Sequence, residues 1–183
     1  MASAIAARRK MPDKSRHTVA LYALARSMPA VVRAARHFLL VIRHKWWVFF
    51  YCAYAGSPLR GFLHDWSKFS PDEFFESVKY LNGRSSPIGL SRRVNGYSYA
   101  CLHHKGRNRH HFEFWQDVVD ANGVTNPRQY EFYPIPIPYV YALEMICDTI
   151  AASRAYNGKR FNYDVLMKWW AARERFPVNM HAR

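Results

Sequence analysis

The sequence predicts an all-α protein, a single-domain helical bundle of about seven helices. Apolar residues recur at helical spacing over most of the chain, whereas the alternation typical of strands is scarce. Glycine and proline residues punctuate these apolar segments and mark their ends. At 183 residues the chain is long enough to bury a core of its own, and half of its residues are hydrophobic.

Two helices are predicted in the first third of the chain. The first covers residues 29–55 and ends at the tripeptide GSP, because glycine and proline stop helical growth. The second is short and lies in LRGFLHDWSKF, where it places His64 and Lys68 on one face.

The remaining elements follow from capping and turn signals. Ser70 and Glu73 form a predicted capping box that starts a helix in SPDEFFESVKYLNG. GRSSPIGLSRRVNG is predicted to be a loop, and the prolines of YPIPIPYV exclude a helix interior there. Four more helices are predicted. One starts near Tyr97 and reaches CLHHK, and the next starts around His110 and runs along HHFEFWQDVVDANG. The last two lie in YVYALEMICDTIAASRAYNG and in YDVLMKWWAARERF.

The chain is strongly basic. Its 27 Lys and Arg residues against 13 Asp and Glu residues give a net charge of +14 and a pI near 10. Such a charge favours polyanionic partners, namely nucleic acid, anionic lipid or phosphorylated ligands. Residues 1–45 hold ten basic residues and one acid, and therefore carry +9 of that charge.

Three regions are expected: a basic leader or arm over residues 1–28, the helical domain over residues 29–176, and a tail over residues 177–183. The Ala- and Arg-rich leader resembles an organellar presequence, and a solvated amphipathic arm explains it equally well. No apolar run reaches the roughly 18 residues of a transmembrane helix. We therefore expect an intracellular protein, cytoplasmic, or mitochondrial if the leader is a presequence.

The cysteines and tryptophans are predicted to be structural. Cysteine spacing lacks a CxxC pattern, which indicates buried, reduced thiols. The tryptophans are predicted to pack in the core or at its rim. The residues are Cys52, Cys101 and Cys147, and Trp46, Trp47, Trp66 and Trp115.

Imidazole and carboxylate groups interrupt apolar helical faces at three places. His64 and Asp65 stand in a mostly apolar short helix, and His44 interrupts the first long helix. Asp148 follows Glu144 by one turn in ALEMICDTIAA. A divalent cation would satisfy such groups together. The simpler alternative at each place is a core histidine capped by a carboxylate, a surface histidine or an Asp–Arg pair.

The segment LHHKGRNRHHFE concentrates four more histidines and three basic residues. A second metal ion would use the imidazoles on either side of the short turn. Alternatively the turn is solvated, or its basic side chains bind nucleic-acid phosphates. The residues are His103, His104, His110 and His111, and Lys105, Arg107 and Arg109.

The order of these groups resembles the HD-domain superfamily of metal-dependent phosphohydrolases, with His44, the pair His64-Asp65, and Asp148 in the motif positions. The strings HDWSKFSPDEF, HHKGRNRHHFEFW and EMICDTIAASRAYNG are similar to a little-characterised HD-like family of bacteria and phages. The resemblance covers approximately residues 43–159. It implies a helical bundle whose four motif residues hold one divalent ion.

Two-metal members of that superfamily add histidines from the middle of the domain, with the aspartate of the His-Asp pair bridging the ions. The resemblance therefore implies His104, His110 and His111 as ligands of a possible second ion, with His103 and His104 not distinguished. Mixed nitrogen and oxygen ligation suits Mn, Fe, Co, Ni or Zn, and the sequence does not distinguish these metals from one another or from Mg.

The expected function is hydrolysis of a phosphomonoester or phosphodiester, most plausibly in a nucleotide. Lys68 would neutralise charge on the phosphoryl group, or it pairs with Asp72 or Glu73 at the surface. Glu144 would orient a ligating histidine or accept a proton. Basic residues of the histidine-rich turn would clamp phosphate oxygens, namely Lys105, Arg107 and Arg109.

Two other functions fit the sequence. The basic leader is compatible with a non-catalytic assembly or RNA-binding subunit built on an HD-like scaffold, whose partner would be RNA or a ribonucleoprotein. A metal held only for structure, with its coordination sphere closed by protein ligands, is the other.

Overall fold

The computed structural model describes residues 15–120, 130–171 and 179–180, and it confirms the all-α class. Eight α-helices lie within these residues, one more than the seven predicted. They are α1 Arg16–Ser27, α2 Ala30–Tyr54, α3 Pro58–Leu63, α4 Pro71–Tyr80, α5 Pro87–Asn95, α6 Tyr99–Arg107, α7 Tyr139–Asn157 and α8 Tyr163–Ala171.

Short 3-10 segments and strands complete the described residues. Strands β1 and β2 pair antiparallel, with Gln116 opposite Pro134, and strands β3 and β4 pair parallel. The 3-10 segments are Trp66–Phe69, Phe112–Trp115 and Gly158–Arg160, and the strands are β1 Gln116–Asp120, β2 Tyr130–Pro134, β3 Pro136–Ile137 and β4 Asn179–Met180.

The chain divides into two compact units, each made of two separate stretches. The first unit comprises the described residues of Met1–Leu39 and Trp66–His104. The second unit comprises those of Leu40–Asp65 and Lys105–Arg183. Helix α2 contributes its N-terminal part to the first unit and its C-terminal part to the second.

The core of the first unit lies among α1, α4 and α5. Leu21, Ala25, Tyr80 and Leu90 form a buried cluster, and Tyr22 stacks on Tyr80 with ring centroids 5.5 Å apart. Helix α1 is the described part of the region predicted to be a basic leader or arm. It supplies two of the four buried side chains of this cluster.

The prediction of a loop over GRSSPIGLSRRVNG is wrong, because this segment contains α5. The side chain of Ser86 accepts a hydrogen bond from the backbone of Gly89 and caps the helix. Pro87 occupies the first turn, and Gly96 ends the helix at φ 85°. These turn-forming residues are therefore helix caps, and the apolar contacts of Leu90 select the helix between them.

The capping box at the start of α4 is not formed. Ser70 is the N-cap, but its side chain makes no capping hydrogen bond. Glu73 is buried, and its carboxylate contacts Nδ1 of both His103 and His104 at 2.8 Å. These long-range contacts replace the local one.

The core of the second unit lies between α2 and α7. Val48 and Cys52 of α2 form a buried cluster with Cys147 and Ala151 of α7. The small side chain of Ala151 is 0% exposed and allows the two helices to approach closely. All three cysteines are buried and free, as predicted.

Helix α3 packs directly on the backbone of α2. A Cβ added at Gly61 would lie 2.7 Å from Cα of Phe49 and 2.8 Å from Cβ of Cys52. Only glycine therefore permits this approach, which positions the residues that follow α3.

The helix predicted from His110 onwards is also wrong. The chain forms the 3-10 segment Phe112–Trp115 and then β1. Strand pairing explains the difference, since Gln116–Asp120 pairs with Tyr130–Pro134 instead of continuing a helix.

Several helix ends agree with the prediction. Helix α2 ends before Gly56, which has a φ of 80°, and α7 ends at Gly158 with a φ of 54°. None of the described helices combines the length and hydropathy needed to cross a lipid bilayer.

Candidate metal centre

Three elements of the second unit bring the four predicted metal ligands together. His44 lies on α2, His64 and Asp65 directly follow α3, and Asp148 lies on α7. The first three are buried, with exposed fractions of 6%, 1% and 2%. Each lies against the α2–α7 core or the helix that packs on it.

The local conformation of the His-Asp pair differs from the prediction. Helix α3 ends at Leu63, so His64 and Asp65 are not helical, and His64 does not share a helical face with Lys68. His64 has φ −56° and ψ 131°, and Asp65 has a φ of 52°. Asp65 is the only non-glycine residue with positive φ in the described chain. Aspartate tolerates this region better than most residues, but the conformation still requires support from its surroundings.

The donor atoms of the four residues face one another. Nε2 of His44 lies 3.1 Å from Oδ1 of Asp148, and Nε2 of His64 lies 3.0 Å from Oδ2 of Asp65. The two Nε2 atoms are 3.3 Å apart, and Nε2 of His64 lies 3.4 Å from Oδ1 of Asp148. One nitrogen or oxygen atom from each of the four residues lies within 4.8 Å of the corresponding atoms of the other three.

This donor set fits a divalent cation. Nitrogen and oxygen ligands lie at about 2.0–2.2 Å from zinc, so two ligands of one ion are separated by roughly 3–4 Å. The distances among the four donors, from 3.0 Å to 3.8 Å for the pairs in contact, fall in that range. Two imidazole nitrogens with two carboxylates suit first-row transition metals.

Glu144 supports His64 from the other side of the ring. Its Oε1 lies 3.0 Å from Nδ1 of His64 and 3.3 Å from Nδ1 of His110. Its Oε2 lies 3.3 Å from Nε of Arg60. A carboxylate on Nδ1 orients the ring so that Nε2 is the nitrogen that a cation would bind in place of a proton, as in many metal sites.

The electrostatics of the cluster keep Glu144 and Asp148 ionised. Burial alone would raise the pKa of Glu144, but contacts with His110 and His64 lower it to about 2. Burial likewise opposes ionisation of Asp148, yet the imidazoles of His44 and His64 hold its pKa well below the ordinary value. Burial opposes protonation of His64, but the charge of Asp65 raises its pKa well above 6.5.

His110 and His111 lie beside this cluster in the same unit. His110 is 3% exposed, and its Nε2 lies 3.4 Å from Oδ1 of Asp65 and 3.8 Å from Oδ2 of Asp148. Its ring centroid is 4.3 Å from that of His111. His64, His110 and Glu144 form another group of closely spaced donor atoms.

His103 and His104 lie in the first unit. Glu73 contacts Nδ1 of each ring, and Oγ of Ser67 lies 3.4 Å from Nδ1 of His104. His104 is 5% exposed and His103 is partly exposed, so His104 is the inward-facing member of the pair.

The predicted phosphate-binding residues have different surroundings. Lys105 forms an ion pair with Glu113, whereas Arg107 is exposed at the end of α6. Nη1 of Arg109 donates to Oη of Tyr141 at 3.1 Å. Lys68, predicted to act on the phosphoryl group, lies in the 3-10 segment Trp66–Phe69 of the first unit.

Two basic residues near the centre were missed in the sequence. Nζ of Lys45 donates to the backbone carbonyl of His64 and so supports the turn after α3. Arg60 contacts Glu144, and its guanidinium lies 4.1 Å from the ring centroid of Tyr141. The available signal for Arg60 was its position four residues before His64 in the sequence.

Comparison with known proteins gives a family. No curated protein and no solved structure matches the chain. Residues 33–181 match the family of unknown function DUF5662, and this stretch contains all the residues of the centre. Because the match covers most of the sequence, the chain belongs to the DUF5662 family.

Proposed function

We propose that the protein is a metal-dependent phosphohydrolase that acts on a phosphomonoester or phosphodiester of a nucleotide. One observation carries this proposal: donor atoms from His44, His64, Asp65 and Asp148 converge within 4.8 Å. These residues come from three elements, and their order along the chain is the one that resembles the HD-domain superfamily. The DUF5662 match is compatible with this function but names no activity.

The four converging residues would hold the ion. A divalent ion held there supplies Lewis acidity that polarises a phosphoryl oxygen. Glu144 keeps Nδ1 of His64 engaged, so that Nε2 faces Asp65 and Asp148. Its other carboxylate oxygen pairs with the guanidinium of Arg60.

Residues around the centre support an anionic substrate. Arg109 is exposed, and Tyr141 holds its guanidinium, so its remaining N–H groups can reach phosphate oxygens. The rings of Trp115 and Tyr141 lie 5.7 Å apart beside it. Such aromatic surfaces stack on nucleobases, which supports a nucleotide as the substrate.

The decisive experiment combines metal analysis with a substrate panel. Protein purified without chelators is analysed for bound transition metals and assayed for phosphate release from nucleotides. We expect stoichiometric metal and metal-dependent hydrolysis of at least one nucleotide. His64→Ala should abolish both, whereas His17→Ala, which removes an exposed histidine of α1, should change neither.

Other outcomes favour the other functions. Hydrolysis that persists in fully chelated protein would refute the proposal. Bound metal without hydrolysis of any nucleotide favours a structural ion. Tight, salt-sensitive RNA binding in a protein without metal favours the assembly subunit.

A further inference from the structure

One face of α2 is apolar and exposed. In the second unit it consists of Ile42, Trp46, Phe49, Phe50 and Ala53, which we call the α2 apolar face. Ile42 is 45% exposed, Trp46 62%, Phe49 36% and Phe50 48%, and Ala53 is exposed as well. Trp46, which the sequence predicts to pack in the core or at its rim, is therefore largely in solvent.

The positions of these residues place them on one side of the helix. Ile42, Trp46, Phe49 and Ala53 are separated by four, three and four residues, which keeps them within one stripe. The buried residues His44, Val48 and Cys52 point towards α7 on a different side. Helix α2 thus has two apolar faces, one inside the protein and one outside it.

An exposed face of this kind needs an explanation. Large contiguous apolar patches are rare on monomeric proteins. Where they occur, they mark contact with another molecule or a membrane. Trp and Phe rings are typical of helices that lie at the membrane–water interface. None of the functional residues of the second unit uses this face.

The surrounding charge indicates which surface is bound. Residues 14–64 include eight Lys and Arg residues and no Asp or Glu. On a helical wheel, Arg43 flanks the face on one side and Lys45 on the other. Their side chains also contact backbone carbonyls of Ala155 and His64, but their positive charges remain beside the face.

This charge pattern disfavours a second copy of the chain. Pairing α2 with another α2 would bring two basic borders together, and no acidic residue of the helix would compensate them. Anionic lipid headgroups, in contrast, would compensate the basic residues while the interface takes up the aromatic rings.

We propose that the α2 apolar face docks the protein on an anionic membrane surface, with Trp46 and Phe49 entering the headgroup region. The helix lies on the membrane and does not cross it. The metal centre is then held beside a lipid surface. The interaction is reversible, because apolar insertion and electrostatic attraction both contribute and the latter weakens with salt.

The test is co-sedimentation of the full chain with lipid vesicles. One set contains phosphatidylcholine alone, and the other contains phosphatidylglycerol as well. We expect strong binding to the anionic vesicles, weaker binding to the neutral ones, and loss of binding at high salt. The double variant Trp46→Ser/Phe49→Ser should bind anionic vesicles at least roughly tenfold more weakly, since two aromatic side chains can no longer enter the membrane.

A matched control is available on α6. Tyr99 and Leu102 are 68% and 72% exposed and have the same three-residue spacing as Trp46 and Phe49. Tyr99→Ser/Leu102→Ser should bind vesicles like the unchanged protein. Circular dichroism of both double variants checks that each remains folded.

Three results would overturn the proposal. One is the absence of binding to anionic vesicles at low salt. Another is equal binding by the Trp46/Phe49 variant and the unchanged protein. The third is a dimer, seen by light scattering, that this variant dissociates while vesicles bind neither form, which would assign the face to a second copy.

Discussion

Glu76 in the first unit and the carboxylates of the candidate centre in the second unit differ in their neighbours. In the first unit, Oε1 of Glu76 accepts hydrogen bonds from the hydroxyls of Ser91 and Ser98 at 2.7 Å and 2.6 Å. Its Oε2 accepts one from the backbone N–H of Ala100 at 2.9 Å. In the second unit, Asp65 and Asp148 face imidazole nitrogens instead.

This difference separates a structural carboxylate from a candidate ligand. Hydroxyl and amide groups are permanent donors, so the network of Glu76 is complete without any ion. A neutral imidazole carries a lone pair on one nitrogen. This nitrogen can bind a cation, as a carboxylate oxygen can. The carboxylates and imidazoles that converge in the second unit therefore form a set that suits a cation, whereas the network of Glu76 does not need one.

Asp65→Asn is expected to have the largest effect, because it removes the charge of a carboxylate that faces imidazoles. Asparagine keeps the side-chain size and tolerates the positive φ of this position, but it removes the charge. We expect metal affinity to fall by more than about 100-fold, the upper end for partners outside the ligand set, and nucleotide hydrolysis to fall with it. Elemental analysis and phosphate release measure the two effects.

Asp72→Asn is the control for that experiment. Asp72 is 71% exposed and lies in the first unit, so its loss should change neither quantity. Retention of full metal content by Asp65→Asn would remove Asp65 from the ligand set.

Glu144→Gln tests the support of His64. The amide keeps the shape of the side chain but weakens the contact with Nδ1 and removes the ion pair with Arg60. Metal affinity should fall roughly 10- to 100-fold, as for other residues that orient a metal-bound histidine. Metal titration followed by calorimetry measures this, and an unchanged affinity would contradict the supporting role.

Glu76→Gln tests whether the hydrogen-bond network of the first unit is structural. The change replaces an acceptor of three hydrogen bonds by a group that donates at one end, so we expect a loss of about 1–3 kcal/mol in the free energy of unfolding. Metal content should remain unchanged. Urea denaturation gives the first quantity, and a loss of metal in a folded variant would show that the two networks are not separate.

The parts of the fold that the sequence predicts depend on local signals. The ends of α2 and α7 follow from glycine and proline residues next to an apolar stripe. Part of the candidate ligand set follows in the same way, because His44 and Asp148 interrupt apolar faces of long helices. Such signals are contained in a few neighbouring residues, so they can be read without the fold.

The parts that the sequence does not predict depend on residues far apart. The turn after α3 is held by Lys45 and Glu144, which lie 19 and 80 residues from His64. Glu73 contacts His103, which lies 30 residues away in the sequence, and does not form the local capping box. Local propensity cannot anticipate contacts of this range, and it therefore assigned helix or cap to both places.

The smallest expected effect concerns the histidines of the two units at low pH. Burial and the nearby charge of Lys68 lower the pKa of His37 in the first unit to about 4, whereas carboxylates raise that of His64 in the second. Because the unfolded chain binds this proton near pH 6.5, the stability from neutral His37 is present above that pH and is lost as pH falls towards 4.

His37→Phe keeps a ring against Phe74, whose centroid is 5.1 Å away, but cannot titrate. Between pH 7 and pH 5 the unchanged protein should therefore lose about 1–2 kcal/mol more unfolding free energy than this variant. Urea denaturation at both pH values measures the difference, and His17→Phe, at an exposed position, should behave like the unchanged protein. An equal loss in His37→Phe would show that His37 is not the imidazole that limits stability in acid.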